Sequence, residues 1–383
     1  MEQRRYSGKS HWYHETQSST LPQDVLPLVP EAAHVNDRLL LDLALSEEDL
    51  LPYKSWLQPA RQLADALFPA HVSLTRLHTF SAYERMSTAL TVAQVSGVQR
   101  LCNHYAARLT PLPGPDSSRE SNHRLAQITQ YARQLAISPS VIDGRARQHL
   151  SDVGLSVWDM VLINQIVGFV GFQARIVAIF QASLGQAVRW LPGLDMQSYA
   201  DATPFQQPEA SWHTALAPVE TPYANAEQSA CLLRVESNAK LRSLAPVLVH
   251  QPTILSLLAR LMESGLSAQT ASHEFANLLT SRINGSVSCF NEQALSLPEQ
   301  TALVIPLRQH EREIERWERQ QPSQRPLFQA INLLTRAPDR FSAAQFTPLQ
   351  QELGSVSRTI NLLGWSGLCG WLNRLKIALG ETY

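Results

Sequence analysis

The sequence has 383 residues, of which 44% are hydrophobic and 17% charged, and its formal net charge is −1. A chain of this length is too long for one ordinary core, so two domains of roughly 150 residues each are expected. The near-zero charge gives no reason to expect nucleic acid or an anionic membrane as a partner.

Cysteine usage and the N-terminal residues predict a cytoplasmic protein. The chain's 4 cysteines lie far apart and form no CxxC pair, which indicates a reducing compartment rather than a disulfide framework. No apolar segment follows the polar N-terminus, so we expect no signal peptide. The His11-Trp-Tyr-His14 motif could bind a metal ion, but no further ligands lie nearby in the sequence.

Periodicity divides the chain into a polar arm (1–45), a first helical domain (46–190), a linker (191–225) and a second helical domain (226–383). The first domain begins at Ser46-Glu-Glu-Asp49, a pattern typical of a helix start. The linker contains 5 prolines, which interrupt the helical pattern. No convincing alternation of apolar and polar residues indicates a strand. The sequence therefore predicts an all-α protein.

Several helices can be placed before the linker. Residues 72–109 form one long amphipathic region, and further helices are predicted at about 120–136, 143–153 and 156–184. The most apolar stretches, 161–180 and 360–379, contain several polar residues and predict buried helices rather than membrane spans. The charged segment 311–319 has helical spacing and predicts a solvated helix face.

The two halves end in similar motifs. The segments 168–175 and 367–374 share the pattern G-x-x-G-[FW]-x-x-R and lie 199 residues apart. Upstream, Val95-Ser-Gly97 can be aligned with Ile283-Asn-Gly285, at a separation of 188 residues. Their order predicts an internal repeat with differing loop lengths. The alternative is two buried helices that share small residues for close packing.

The segment 274–293 contains the main candidate site. Its first part has helical periodicity, which Asn284-Gly285 interrupts, and Ser286 follows as a predicted N-cap. Cys289 would then lie in the first turn of a second helix, where free N–H groups and the helix dipole favour a thiolate. Arg282 is close enough in sequence to contribute, although it could also form a salt bridge with Glu274.

This segment resembles the alkylhydroperoxidase (AhpD)-like and carboxymuconolactone decarboxylase-like superfamily, in particular its tandem-domain, peroxidase-related branch. The family motif is Glu, eleven residues, Cys-x-x-Cys, three residues and His. In this sequence the register falls on Glu274, Ser286, Cys289 and Gln293. The resemblance covers both halves and implies two tandem AhpD-like helical bundles. It also implies a homo-oligomer that needs no metal or organic cofactor.

The resemblance implies that Cys289 attacks a hydroperoxide and that Glu274 is the acid of a proton relay. Two departures weaken this assignment, because Ser286 cannot resolve a sulfenate and Gln293 cannot shuttle protons. Both could still hydrogen-bond the Cys289 sulfur. An external thiol or a distant cysteine would have to reduce the oxidised site. Cys369 is conceivable in that role, but a small buried hydrophobe is the simpler interpretation.

The first half lacks the motif. There the same alignment places Met86 at the acid, Val98 and Leu101 at the cysteines, and Tyr105 at the histidine. His104 lies one residue out of register, and we interpret it as an ordinary helix histidine. The first half is therefore predicted to be a structural partner of the second.

Three functions stay open at this point. The first is a thiol-dependent peroxidase that acts on a hydroperoxide with an external thiol as reductant. The second is a catalytically degenerate protein that binds a small molecule or another protein. The third, decarboxylation or opening of a lactone acid, is weaker because Gln293 occupies the histidine position. His273 is not offered as the missing base, since adjacent helix residues point about 100° apart.

Overall fold

The computed structural model describes residues 31–188, 193–207, 211–268, 270–297 and 303–380. Within these ranges the chain is all-α, as the sequence predicts. It contains no β-strand there, and Thr214 and Gly380 form an isolated bridge. The His11 and His14 hypothesis concerns residues that lie outside the described ranges.

Helices before the linker agree closely with the predicted bounds beyond residue 119. They are α1 (Glu47–Leu50), α2 (Lys54–Leu67), α3 (Ala82–Ser96), α4 (Gln99–Leu109), α5 (Arg119–Ile137), α6 (Gly144–Asp152) and α7 (Val157–Ser183).

Ten α-helices follow the linker within the described residues. They are α8 (Ala226–Val235), α9 (Ala245–Leu248), α10 (Pro252–Met262), α11 (Ala271–Asn284), α12 (Val287–Leu295), α13 (Val304–Leu307), α14 (Glu311–Gln320), α15 (Arg325–Arg336), α16 (Ala343–Leu353) and α17 (Val356–Leu379).

The region 72–109 is not one continuous helix. Ser81 caps α3 through a capping box with Glu84, so the helix begins ten residues later than the amphipathic pattern suggests. Gly97 then ends α3 with a positive φ of 71°, a conformation that glycine adopts without steric cost. Residues 72–81 lie outside any helix and place Thr79 and Phe80 against the buried Asp159 carboxylate.

The helices α7 and α17 pack against each other in the middle of the molecule. A methyl group on Gly168 would lie 1.9 Å from Trp371 Cδ1, so only glycine leaves room for the indole. Trp371 Nε1 donates a hydrogen bond of 3.0 Å to Gln165 Oε1 on the opposite helix. The halves therefore share one core at this contact.

The apolar character of α7 is explained by burial. By length and composition α7 could cross a membrane, and it is the one helix among the described residues that could. All residues of its most apolar window are buried inside the structure.

Two arginines from the repeated motif connect the halves reciprocally. Arg175 on α7 donates to the Thr335 carbonyl at the end of α15, at 2.5 Å. Arg374 on α17 donates to the Ala136 carbonyl at the end of α5, at 2.6 Å. Helix C-termini carry partial negative charge, so these carbonyls are suitable partners for a buried guanidinium.

Two glycine turns are reciprocal in the same way. A methyl group on Gly97 would lie 2.7 Å from Asp339 Cβ, and one on Gly285 would lie 2.7 Å from Ser140 Cβ. Each turn therefore presses against the other half of the chain. These paired contacts are what an internal repeat would produce, while the organisation as two tandem bundles stays a prediction.

The arm and the linker differ from the sequence prediction where they are described. Leu39, Leu40 and Leu41 are buried, and Gln173 Nε2 donates to the Arg38 and Leu39 carbonyls at 2.8 and 3.0 Å. This part of the arm therefore belongs to the core of the first half.

The linker lies along the second half. Ala200 N donates to the Ile283 carbonyl at 3.2 Å, and Ala215 N donates to the Leu379 carbonyl at 2.8 Å. The described part of this segment contains two short 3-10 helices, each with a proline as its second residue, Thr203–Gln206 and Thr221–Tyr223. The hydrogen bonds of Ala200 and Ala215 hold it against the second half, because unpaired buried amides are costly.

We predict that Gly168→Ala lowers the free energy of unfolding by about 1–3 kcal/mol, because the new methyl group overlaps Trp371. Gly171→Ala is the matched control on the same helix, since its methyl group would lie 3.6 Å from Arg175 Nη1, an ordinary contact. Urea unfolding followed by circular dichroism measures both. Equal stabilities for the two variants would contradict the close packing of α7 on α17.

Candidate functional site

The corner between α11 and α12 has the form that the sequence predicts. Gly285 ends α11 in the left-handed region with φ 86°, and Ser286 is the N-cap of α12. Cys289 therefore lies in the first turn of α12. The Ser286 hydroxyl does not cap the helix, and this buried oxygen has no hydrogen-bond partner among the described residues.

Cys289 lines a cavity of about 440 Å³. It is bounded by α11, α12 and α17, with Ala239, Lys240 and Ala268 completing the wall. The aromatic and apolar part of the wall includes Trp365 and Leu372. The polar part consists of Glu274, Asn277, Glu292, Gln293, Asn373 and Lys376, together with His273 and Ser296. Such a volume accommodates a small organic molecule.

The cavity brings together three of the predicted site residues. Cys289 is half-buried, and Glu274 and Gln293 line the same wall. Ser286 lies beside the Cys289 thiol and lowers its pKa, although its hydroxyl makes no hydrogen bond of ordinary length. The resemblance-based register therefore describes neighbours in space as well as in sequence.

Arg282 does not belong to the cavity wall. Its side chain is fully buried, and its guanidinium donates to the Ala200 carbonyl at 2.7 Å and the Gln309 carbonyl at 2.8 Å. It also lies 4.7 Å from the centre of the Phe205 ring. Arg282 therefore fixes the linker against α11, and neither activation of Cys289 nor a salt bridge with Glu274 is seen.

The expectation of a stabilised thiolate is wrong for the protein as it stands. Burial raises the pKa of the Cys289 thiol, and the nearby Glu292 carboxylate raises it further. Lys376, Ser286 and Asn373 oppose this effect without cancelling it. Cys289 does lie in the first turn of α12, but burial destabilises its thiolate more than the nearby donors stabilise it.

Lys376 is the residue that lowers the pKa of Cys289 most. It is almost fully buried, and its ammonium donates to Glu292 Oε1 at 2.9 Å and to Ser243 Oγ at 2.6 Å. The Glu292 side chain is 39% exposed, so this ion pair is only partly buried, and Lys376 still lowers the Cys289 pKa. Lys376 could not be selected from the sequence, because α17 meets α12 only in the folded chain.

A chain of hydrogen bonds passes through the cavity wall in one direction. Each member donates to the next, at distances between 2.7 and 3.5 Å, in the order Arg374, Gln197, Asn284, Asn373, Ser281, Asn277, Gln293 and Ser296.

This chain fixes the orientation of two candidate residues. Asn373 Oδ1 accepts from Asn284, so its amide nitrogen faces Ser281 and the Cys289 side of the wall. Asn373 can therefore act as a donor to the sulfur, which agrees with its lowering of the Cys289 pKa. Gln293 Oε1 accepts from Asn277, and a neutral amide in this position holds the wall together without transferring protons.

His273 also lines the cavity, although the sequence analysis did not assign it as the base. Although it precedes Glu274 directly, both side chains line the cavity, because the cavity is wide enough to meet two faces of α11. Its Nδ1 lies 2.7 Å from Thr270 Oγ1, and burial lowers its pKa. The imidazole is therefore neutral at neutral pH.

The equivalent positions of the first half are filled by core side chains. Met86, Leu101 and Tyr105 are buried, and the Tyr105 hydroxyl donates to Gln173 Oε1 at 2.6 Å. The Phe68 ring lies 5.4 Å from the Tyr105 ring. His104 is also buried, and its Nδ1 lies 2.8 Å from the Ala32 carbonyl. These residues act as structural elements.

Comparison with known proteins adds no identification. A scan of the sequence against models of protein families found no match, and a search of curated proteins found no similar sequence. Among the described residues, no group of three or more His, Cys, Asp or Glu side chains is placed to hold a metal ion.

We predict opposite effects of the two ion-pair partners on Cys289 alkylation. Glu292→Gln removes an acid that raises the thiol pKa, so alkylation at neutral pH should become several-fold faster, up to about tenfold for each pKa unit. Lys376→Met removes the opposing cation and should slow it. Mass spectrometry after timed iodoacetamide treatment measures both rates, and changes of the same sign would contradict the electrostatic account.

A pH series on the unmodified protein checks the burial effect. Because burial raises the pKa of Cys289, the alkylation rate should reach half of its maximum at a pH above about 8.5, the midpoint for a free cysteine. A rate that is constant from neutral pH upward would mean that Cys289 is a resting thiolate.

Proposed function

We propose that the protein is a thiol-dependent oxidoreductase that reduces a hydroperoxide at Cys289, on two tandem helical bundles of the alkylhydroperoxidase-like kind. One observation carries this proposal: Cys289 and Glu274 line one cavity large enough for a small molecule. A decayed site would instead place the thiol among sealed apolar side chains and the carboxylate in solvent.

The reaction that fits these groups is a two-electron oxidation of the thiol. Glu274 accepts the Cys289 proton, the sulfur attacks the terminal oxygen of the hydroperoxide, and the O–O bond breaks as the S–O bond forms. The departing alkoxide takes the proton, so that the products are an alcohol and a Cys289 sulfenic acid. Two external thiols then restore Cys289 and leave as a disulfide with one water molecule.

The cavity wall supplies what this step needs. The developing thiolate receives a donor from Asn373 and positive charge from Lys376. Both lower the cost of a charge that burial otherwise disfavours. General-base assistance has to come from Glu274 or the neutral His273, because the amide of Gln293 cannot accept a proton from the thiol.

A second candidate function is a binding protein with an inactive site. The raised pKa of Cys289 favours it, because a protonated thiol reacts slowly with peroxides. The cavity, with Trp365 and several amides on its wall, would then hold a small molecule without chemistry.

We predict that peroxide consumption with a dithiol as reductant is lost in Cys289→Ser and falls about a hundredfold in Glu274→Gln. Glu315→Gln is the matched control, because this carboxylate lies on the exposed α14 and pairs only loosely with Arg319 at 4.0 Å. Loss of hydrogen peroxide and tert-butyl hydroperoxide is followed directly. Consumption by Cys289→Ser at the normal rate would overturn the proposal in favour of the binding protein.

A further inference from the structure

Cys369 lies in the same cavity as Cys289. It is located in the middle of α17, is buried, and contributes to the cavity wall. The negative charge of a Cys289 thiolate would raise the pKa of Cys369, which agrees with the place of both thiols in the wall of one cavity. Cys102 and Cys231 do not line this cavity.

Asn373 places Cys369 on the face of α17 that lines the cavity. Asn373 follows Cys369 by one helical turn on the same face of α17, where side chains lie about 5–6 Å apart between Cβ atoms. The Asn373 amide lines the same cavity and lowers the pKa of the Cys289 thiol. Cys369 therefore lies on the same face of α17 as a group that acts on the Cys289 thiol.

We propose that Cys369 is the resolving thiol of the cavity and forms a disulfide with Cys289 after peroxide attack. This inference rests on the proposed function, since the attacking step at Cys289 has to occur first. In this scheme Cys369, and not an external thiol, reduces the Cys289 sulfenic acid. The site then has two reactive cysteines, one on α12 and one on α17.

The resolving step balances without a further reactant. The Cys369 sulfur attacks the sulfur of the Cys289 sulfenic acid, an S–S bond forms, and the S–O bond breaks. The leaving hydroxide takes the Cys369 proton and departs as water. An external dithiol then reduces the disulfide by thiol–disulfide exchange, which returns both cysteines to thiols.

The start of α12 is built in a way that permits the approach. A disulfide requires Cα atoms about 4.4–6.8 Å apart. The first turn of α12 carries Cys289 and has no side-chain cap, since Ser286 leaves its hydroxyl unpaired. The Gly285 corner is held against Ser140 and Ala200, so the movement is confined to the turn that follows it. A shift of this turn toward α17 breaks no capping hydrogen bond.

Lys240 provides electrostatic support at the wall. Its charge lowers the pKa of Cys369, and its ammonium lies 5.4 Å from the centre of the Trp365 ring. Burial is the stronger effect and raises the Cys369 pKa to about 12. Resolution should therefore be slower than oxidation and should accelerate as the pH rises, because the attacking species is the thiolate.

The test treats the reduced full-length protein with one equivalent of hydrogen peroxide in the absence of added thiol. The product is analysed by intact mass, dimedone trapping and peptide mapping. A Cys102→Ser/Cys231→Ser protein serves as the background in which only Cys289 and Cys369 can react. We expect a short-lived dimedone-reactive form, followed by loss of two hydrogens and a peptide that links Cys289 to Cys369.

Three outcomes separate the two proposals. A linked Cys289–Cys369 peptide supports the resolving role. A persistent Cys289 sulfenic or sulfinic acid with a free Cys369 thiol overturns the resolving role and leaves the peroxidase proposal standing. No oxidation of Cys289 overturns both.

The variants Cys369→Ser and Cys369→Ala complete the experiment. Each should still oxidise at Cys289, lose the disulfide, and keep the sulfenic acid until external thiol is added. Helical content and unfolding temperature show whether each variant is folded. The peptide map of the wild-type protein does not depend on the variants, so it still tests the disulfide if a variant folds poorly.

Discussion

The structure depends on the close approach of α7 and α17. Trp371 fits against Gly168 because no side chain occupies that place, and its indole nitrogen reaches Gln165 across the contact. Close packing of this kind tolerates little change in volume. Two arginines of the repeated motif then fasten each long helix to the end of a helix in the other half, through Thr335 and Ala136.

The same contact positions the cavity. The helix α17 carries Cys369, Asn373 and Lys376, and these residues form the cavity wall opposite Cys289. The packing of α17 on α7 therefore also determines which groups face the Cys289 thiol. The first half has the long helix α7, and there Tyr105 and Leu40 are buried core residues.

The chemistry of the cavity is a competition between burial and local donors. Burial raises the pKa of Cys289, whereas Lys376 and Asn373 lower it. The resting thiol is therefore protonated, so the proposed reaction requires a base at the wall. Glu274 and the neutral His273 line the cavity and are the candidates for this role. The chain of hydrogen bonds fixes the orientation of the Asn373 amide, so that its nitrogen is the donor on the cavity side.

Local sequence patterns predicted much of the fold. The helix start at Ser46 was predicted from the Ser-Glu-Glu-Asp pattern, and a capping box is present there. The helix predicted from residue 156 begins at Val157, with Ser156 as its cap. The turn at Gly285 and the first-turn position of Cys289 were also predictable, because both depend on a few adjacent residues. The break at Gly97 was missed, since amphipathic periodicity continues across it.

The cavity wall could not be predicted from the same patterns. Lys376 and Asn373 are distant from Cys289 in sequence, and only the packing of α17 brings them to it. Arg282 shows the converse, because a residue near Cys289 in sequence is directed toward the linker. Proximity in sequence along a helix does not decide which face meets the site. The buried part of the arm was missed because its apolar residues form too short a run.

The most direct test of the central claim is the rate at which Cys289 reacts with a hydroperoxide in the folded protein and in the same protein unfolded by urea. Unfolding turns Cys289 into an ordinary thiol with an ordinary pKa, so it provides the reference. The account predicts a faster reaction in the folded state, despite the raised pKa, because the cavity supplies a base and donors. A folded protein that reacts no faster than the unfolded chain would contradict it.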